Sequence, residues 1–211
     1  RQIKEDEEKY NLDAKYFMEL LLKETIPDYS SWWDNCMEAK RLLHGYDDTQ
    51  GNKVIDKIAQ VLPENPVVTV DIGQNVCWTA QSLWLKGTKG RIIIGGGYGA
   101  MGVGLPYAIG ASISRNNAIT YCITGDGGFQ MNIQELESVR REKLPIKILV
   151  INNHELGKIS EIQHVAYNNR YCSTTLDSGY TVPDFVKIAN AYGIKAVKLN
   201  DYLKIDDYKE W

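Results

Sequence analysis

The stretch Ile119-Thr120-Tyr121-Cys122-Ile123-Thr124-Gly125-Asp126-Gly127-Gly128 decides the architecture. Its first six residues are mostly β-branched or apolar, the texture of a strand buried on both faces. They give way to a glycine–acid–glycine turn, where a backbone can approach an anion closely, and a helical pattern follows. The same style recurs at Val67-Val68-Thr69-Val70-Asp71 and over residues 91–94, 146–151 and 194–199. Helical patterns lie between them at 76–85, 102–113, 132–141 and 183–192. Strands alternating with helices predict an α/β three-layer sandwich around a mainly parallel sheet. Ligands of such sheets gather beyond the carboxyl ends of the strands. Four of those ends carry ligand-type residues: Asp71-Ile72-Gly73-Gln74, the glycine-rich run 95–102, Gly125-Asp126-Gly127-Gly128, and Asn152-Asn153.

The rest of the chain sets bounds. Its 211 residues suit one large α/β domain with an appendage. Residues 1–50 read as a helical linker from a preceding middle domain, and 51–211 as the main domain. Within the linker, residues 1–10 form a charged, solvated tail. Leu12, Tyr16, Phe17, Leu20 and Leu21 then mark an amphipathic helix ending near Pro27. A second helix over 31–43 would pack Trp32, Trp33, Cys36 and Met37, and a third runs over 52–62. A net charge of -3 argues against nucleic acid as a partner. No apolar run suits a bilayer, and the charged start is not a signal peptide. The four cysteines show no CxxC spacing and read as buried thiols in a reducing cytoplasm. His44 reads as a surface residue, and Arg140-Arg141 as complements to a helix dipole.

Asp126 would repel a bare diphosphate, so its place in the glycine turn makes sense with a cation between them. Mg²⁺ seeks hard oxygen ligands, taking one or two from protein and the rest from phosphate and water. Asn153 offers an amide oxygen at the next strand end, and the Glu155 backbone carbonyl is placed for a third contact. A β-helix-β unit brings Asp126 and Asn153 to neighbouring strand ends.

Gly-Asp-Gly, 24 further residues and Asn-Asn together resemble the cofactor motif of thiamine-diphosphate (ThDP) dependent enzymes. The likeness is nearest to the acetolactate-synthase-like branch. Gly97-Tyr98-Gly99-Ala100-Met101-Gly102-Val103-Gly104-Leu105-Pro106 resembles its GxGAMGxGLP stretch, and Asp71-Ile72-Gly73-Gln74 with Trp78 and Ala80-Gln81 resembles its DVGQ segment. The resemblance implies that Met101 bends the cofactor into a V. The Gly99 carbonyl and Met101 N–H would hold its pyrimidine, making these two the catalytic positions. Gln74, Asn75, Gly125, Gly127 and Gly128 would hold the diphosphate, and Asp126, Asn153 and Glu155 the Mg²⁺. It implies decarboxylation of a pyruvate-like 2-oxo acid and transfer of the two-carbon unit to a second carbonyl. It also implies a homodimer or other homo-oligomer, cytoplasmic, completed by a pyrimidine-binding domain of the same or another subunit. Nothing here resembles that domain or its activating glutamate, so the chain alone should be an inactive fragment.

Three departures stand out. Asn75 replaces the family's usual His, and Lys158 and Ile162 replace an apolar Met and a Trp on the acceptor side. The tail from Arg170 resembles paralogues that add two carbons to a keto-sugar. A substrate role for His164 stays open, while His154 reads as flanking the metal loop. Two alternatives remain at this stage. One is a nicotinamide-binding Rossmann domain, since residues 97–102 formally spell GxGxxG. The other is a non-catalytic assembly module of the same fold.

Overall fold

Each strand is a short run dominated by apolar and β-branched residues, and the sheet explains why. In the structure, a computed structural model that describes residues 12–24, 28–44, 49–84, 87 and 89–208, four parallel strands pair: β1 (Val67–Val70), β2 (Arg91–Ile94), β3 (Thr120–Gly125) and β4 (Ile146–Ile151). Their order is β2-β1-β3-β4. Successive side chains point to opposite faces. On one face Val68, Val70 and Ile123 pack with α3 (Gln50–Val61) through Ile55, Ile58 and Ala59, and α4 (Gln74–Ser82) lies against the same side. On the other, Cys122, Ile148 and Val150 pack with α5 (Gly104–Ser114), α6 (Asp126–Met131), α7 (Leu136–Arg141) and α9 (Phe185–Ala191). Both faces being covered, no polar alternation is needed, and three layers result.

The order of the strands places the site. The chain leaves β1 toward α4 on one face and leaves β3 toward α6 on the other. Neighbouring strands whose following helices diverge open a crevice at their carboxyl ends. Asp71 and Gly125 stand on its two sides.

Four sequence expectations are corrected. Residues 194–199 form no strand: the Gly193 and Ile194 N–H groups turn back to the Asn190 and Ala189 carbonyls, and the extended segment after them pairs with no ladder. The single helix expected over 132–141 is broken. α6 starts at Asp126, Asn132 leaves the helical region (φ -133°), and a 3-10 turn (Ile133–Glu135) precedes α7. The Asn132 amide instead donates to the Gly102 carbonyl at 2.7 Å, a tertiary bond that outweighs helix continuity. A helix not expected at all, α8 (Gly157–Ala166), follows β4. Of the cysteines only Cys122 is buried; Cys36, Cys77 and Cys172 are exposed because their elements turn those positions outward.

Contacts divide the chain into residues 1–43 and 44–211. The first unit holds α1 (Ala14–Leu21), capped by the Asp13 carboxylate accepting from Lys15 and Tyr16 N–H, and α2 (Ser30–His44). Trp32 and Trp33 are 65% and 66% exposed, so within the described residues of this unit they are not buried as expected. The charged tail at 1–10, Pro27 and the His44 side chain lie outside the described residues. No helix among the described residues is long and apolar enough to cross a membrane.

Candidate functional site

Asp71 is the anchor of the crevice. It ends β1, is 1% exposed, and its carboxylate accepts from Gly102 N–H (2.9 and 3.1 Å), Thr124 Oγ1 (3.0 Å) and its neighbour Ile72 N–H (2.7 Å). Both oxygens of this buried carboxylate are hydrogen-bonded. It ties the β1 end to β3 and to the glycine-rich run. Gly102, at φ +84°, is a backbone position that side chains resist, and a Cβ there would lie 2.7 Å from Met131 Cβ. Pinned at its N–H by Asp71 and at its carbonyl by Asn132, Gly102 holds the neighbouring Met101 in place.

Asp126 is different in kind. It is 2% exposed, its Oδ1 accepts only from the adjacent Gly127 N–H (2.7 Å), and its Oδ2 has no hydrogen-bond partner. Burial raises its pKa above the ordinary carboxylate range, and the N–H groups of Gly127, His154 and Glu155 pull the other way without prevailing. The last two come from the loop after β4, which Asn152 shapes by accepting from His154 N–H at 3.2 Å. Asn152 is thus a turn residue, leaving Asn153 to face the cleft.

One cleft of about 160 Å³ gathers the site residues. It is lined by Gln74, Asn75, Gly99, Met101, Gly125, Asp126, Gly127, Gly128, Asn153 and Glu155, which are all ten expected positions, and also by Leu156, Gly157 and Lys158. Its glycines are steric requirements. A Cβ on Gly128 would sit 2.5 Å from Asp71 Oδ2, and one on Gly157 would sit 2.0 Å from Gln74 Oε1 and 3.0 Å from Asn153 Nδ2. A Cβ on Gly127 would meet Leu156 Cδ2 at 2.5 Å, Tyr180 Oη at 3.0 Å and Met101 Cε at 3.3 Å. Asn75 is buried, its amide donates to the Asp71 carbonyl at 2.6 Å, and its Oδ1 lies 3.4 Å from the point a Cβ on Gly125 would occupy.

Other expectations fall outside this cleft. The His164 ring pairs with Asn169 and does not line it, and Ile162 is exposed elsewhere on α8. Lys158 does line it, its ammonium held 2.9 Å from Glu161. Among the described residues no three His, Cys, Asp or Glu side chains cluster as a metal cage. Sequence reading missed Tyr180, whose hydroxyl is buried without a partner beside Asp126. Burial pushes that hydroxyl up to about 12, and the Asp126 carboxylate reinforces the shift. Neither the carboxylate nor the nearby Gln130 amide reaches it in hydrogen-bond geometry.

The fold and cleft define an α/β domain that presents an acid-containing glycine cradle at the switch point of a parallel sheet. Residues 71–210 match the family model described as the C-terminal TPP binding domain of thiamine pyrophosphate enzymes. The chain belongs to this family. It is 35% identical over 178 residues to the acetolactate synthase isozyme 2 large subunit of Escherichia coli (strain K12), covering 82% of this chain and 32% of that protein. It is 41% identical over 147 residues to the acetolactate synthase large subunit of Cyanidium caldarium, covering 70% and 24%. A probable acetolactate synthase large subunit of Methanocaldococcus jannaschii is 34% identical over 196 residues, 88% and 32%. The chain spans about a third or less of the length of these relatives. The GxGxxG spelling at 97–102 therefore belongs to this family, and the nicotinamide alternative falls.

Proposed function

We propose that this chain is the diphosphate-binding half of a ThDP- and Mg²⁺-dependent carboligase of the acetolactate-synthase type. The observation that carries the reading is Asp126: a buried carboxylate oxygen without a donor, in a cleft lined by Gly125, Gly127 and Gly128, where the backbone can be approached closely. A hard cation suits that oxygen, and a phosphate carried by the cation suits the cradle.

In this reading Asp126, Asn153 and the Glu155 carbonyl hold Mg²⁺. Gln74, Asn75, Gly125, Gly127 and Gly128 hold the diphosphate. The Met101 side chain, kept over Gly127 by the pinned Gly102, supports the rings, and the Gly99 carbonyl and Met101 N–H hold the pyrimidine. When bound, ThDP supplies the electron sink for decarboxylating a pyruvate-like 2-oxo acid and passing two carbons to a second carbonyl. The protein's part is orientation. Lys158 at the rim adds a cation on the acceptor side, favouring an acceptor with anionic or strongly polar groups.

A cleft of about 160 Å³ is small beside the 300–1,000 Å³ usual for small-molecule sites. Another surface should complete it, and we assign that role to a pyrimidine-binding domain of the same or another subunit in a cytoplasmic homo-oligomer. The chain by itself should then bind cofactor without measurable turnover of pyruvate. Thermal denaturation tests the binding claim. At a hundredfold excess over its dissociation constant a ligand adds about 2.7 kcal/mol, about 5–10 °C for a chain of this size. ThDP should give that shift with Mg²⁺ and lose most of it in EDTA. A shift with NAD and none with ThDP would overturn the proposal.

A further inference from the structure

We propose that the Tyr180 hydroxyl, which adjoins this cleft beside Gly127 and Asp126, is a cofactor-binding donor for the diphosphate oxygens that Mg²⁺ would bring to Asp126. The inference rests on the reading of the cleft given above. No motif marks Tyr180, and three observations of the fold converge on it.

The first is a matched pair of orphaned atoms. Asp126 Oδ2 and Tyr180 Oη are neighbouring buried atoms, and neither has a hydrogen-bond partner. Buried polar atoms left so are costly, and rare enough to need a reason. One is an acceptor needing positive charge; the other is a hydroxyl needing an acceptor. They do not bond each other. A cation alone would satisfy only the carboxylate, and an anion alone only the hydroxyl. A cation carrying phosphate oxygens satisfies both.

The second is direction. Tyr180 Oη lies 3.0 Å from the point a Cβ on Gly127 would occupy, a point shared with Met101 Cε and Leu156 Cδ2. The hydroxyl thus lies against the bare backbone of the Gly-Asp-Gly turn, directly behind Met101 and Leu156, which line the cleft.

The third is rigidity. Thr175 and Ser178 form a capping box around the 3-10 turn Leu176–Ser178, and Gly179 leaves it at φ +99°. Tyr180 N–H donates back to the Thr175 carbonyl at 2.9 Å. The same loop is fastened to the Asn153 loop by an antiparallel bridge between Glu155 and Thr175, and by Leu156 N–H on the Thr174 carbonyl at 2.8 Å. Tyr180 is therefore carried on a loop fastened to the one that bears the metal-side residues, and its hydroxyl is pre-positioned, which is where a binding group gains most.

Tyr180→Phe keeps the ring and removes only the hydroxyl. Calorimetric titration of ThDP with Mg²⁺ into the full chain, wild type and Y180F, is paired with melting of both without ligand. The variant is expected to bind ThDP about tenfold or more weakly, since hydrogen bonds to charged groups contribute about 1.5–3 kcal/mol. Without ligand it should melt no lower than wild type, because the lost hydroxyl had no partner. Equal ThDP affinity in the two proteins overturns the inference, as does a lower melting temperature of unliganded Y180F, which would make the hydroxyl structural. If wild type itself binds no ThDP, the reading of the cleft falls, a result distinct from either.

Discussion

Two aspartates at adjacent strand ends carry opposite duties. Asp71 is buried with a full set of donors and holds loops together; Asp126 is buried with one oxygen unmet. That difference makes a prediction of sign. A carboxylate whose folded pKa is raised contributes stability at low pH that is lost as pH rises through that value. Once ionised, Asp126 therefore costs the unliganded fold. Asp126→Asn should melt higher than wild type without ligand, by an amount on the order of 1–2 kcal/mol, and should lose Mg²⁺-dependent stabilisation by ThDP. A melting temperature below wild type would contradict the account. Gly128 gives the converse case. Its Cβ would press on Asp71 Oδ2 at 2.5 Å, an oxygen that Thr124 and Gly102 hold in place. Gly128→Ala should destabilise by about 1–3 kcal/mol, read from denaturant melts, even without cofactor. Asp126 and Asn153 were legible because residue type and spacing coincide with a β-helix-β unit. Asp71 was legible only as an acid at a strand end, and Tyr180 not at all, since a tyrosine in a loop carries no periodicity and its partner is distant in sequence.

Strands were the legible elements because a sheet covered on both faces demands runs dominated by apolar and β-branched residues, and 67–70, 91–94, 120–125 and 146–151 all have them. Residues 194–199 have the composition but no neighbour to pair with, which composition does not report. α8 escaped because it begins at Gly157 with no side-chain cap, and its Ile159, Ile162 and Val165 stay exposed. The break at Asn132 is a tertiary choice, its amide serving Gly102. At this scale Cys122, central in β3, offers a test. Burial raises its thiol to about 12, with a Thr69 hydrogen bond opposing and the Asp71 charge adding. The folded thiol keeps its proton where the unfolded one loses it, so its contribution to stability falls as pH rises above about 9. Alkylation at pH 8 should modify Cys36, Cys77 and Cys172 within the native protein and spare Cys122 until denaturant is added. Labelling of Cys122 at native rates would show that the strand opens.

For the whole molecule, the main domain leaves apolar surface around its cleft. Ile92 and Ile94 on the edge strand β2 are partly exposed, Tyr98 in the glycine-rich run is fully so, and Ile159, Ile162 and Val165 of α8 are exposed as well. Exposed apolar surface at a binding cleft marks an interface more often than a free face. If a second surface closes the cleft, the chain should self-associate at tens of micromolar in sedimentation velocity, and Tyr98→Ser should weaken that association without lowering the melting temperature. A strictly monomeric chain, with Tyr98→Ser indistinguishable from it, would remove the interface.

The most direct test of the central claim is the metal dependence of ThDP binding. ThDP titrated calorimetrically into the chain should saturate at one per chain with Mg²⁺, show no measurable binding in EDTA, and lose most of its affinity in Asp126→Asn. Equal binding in EDTA, or undiminished binding by Asp126→Asn, would contradict it.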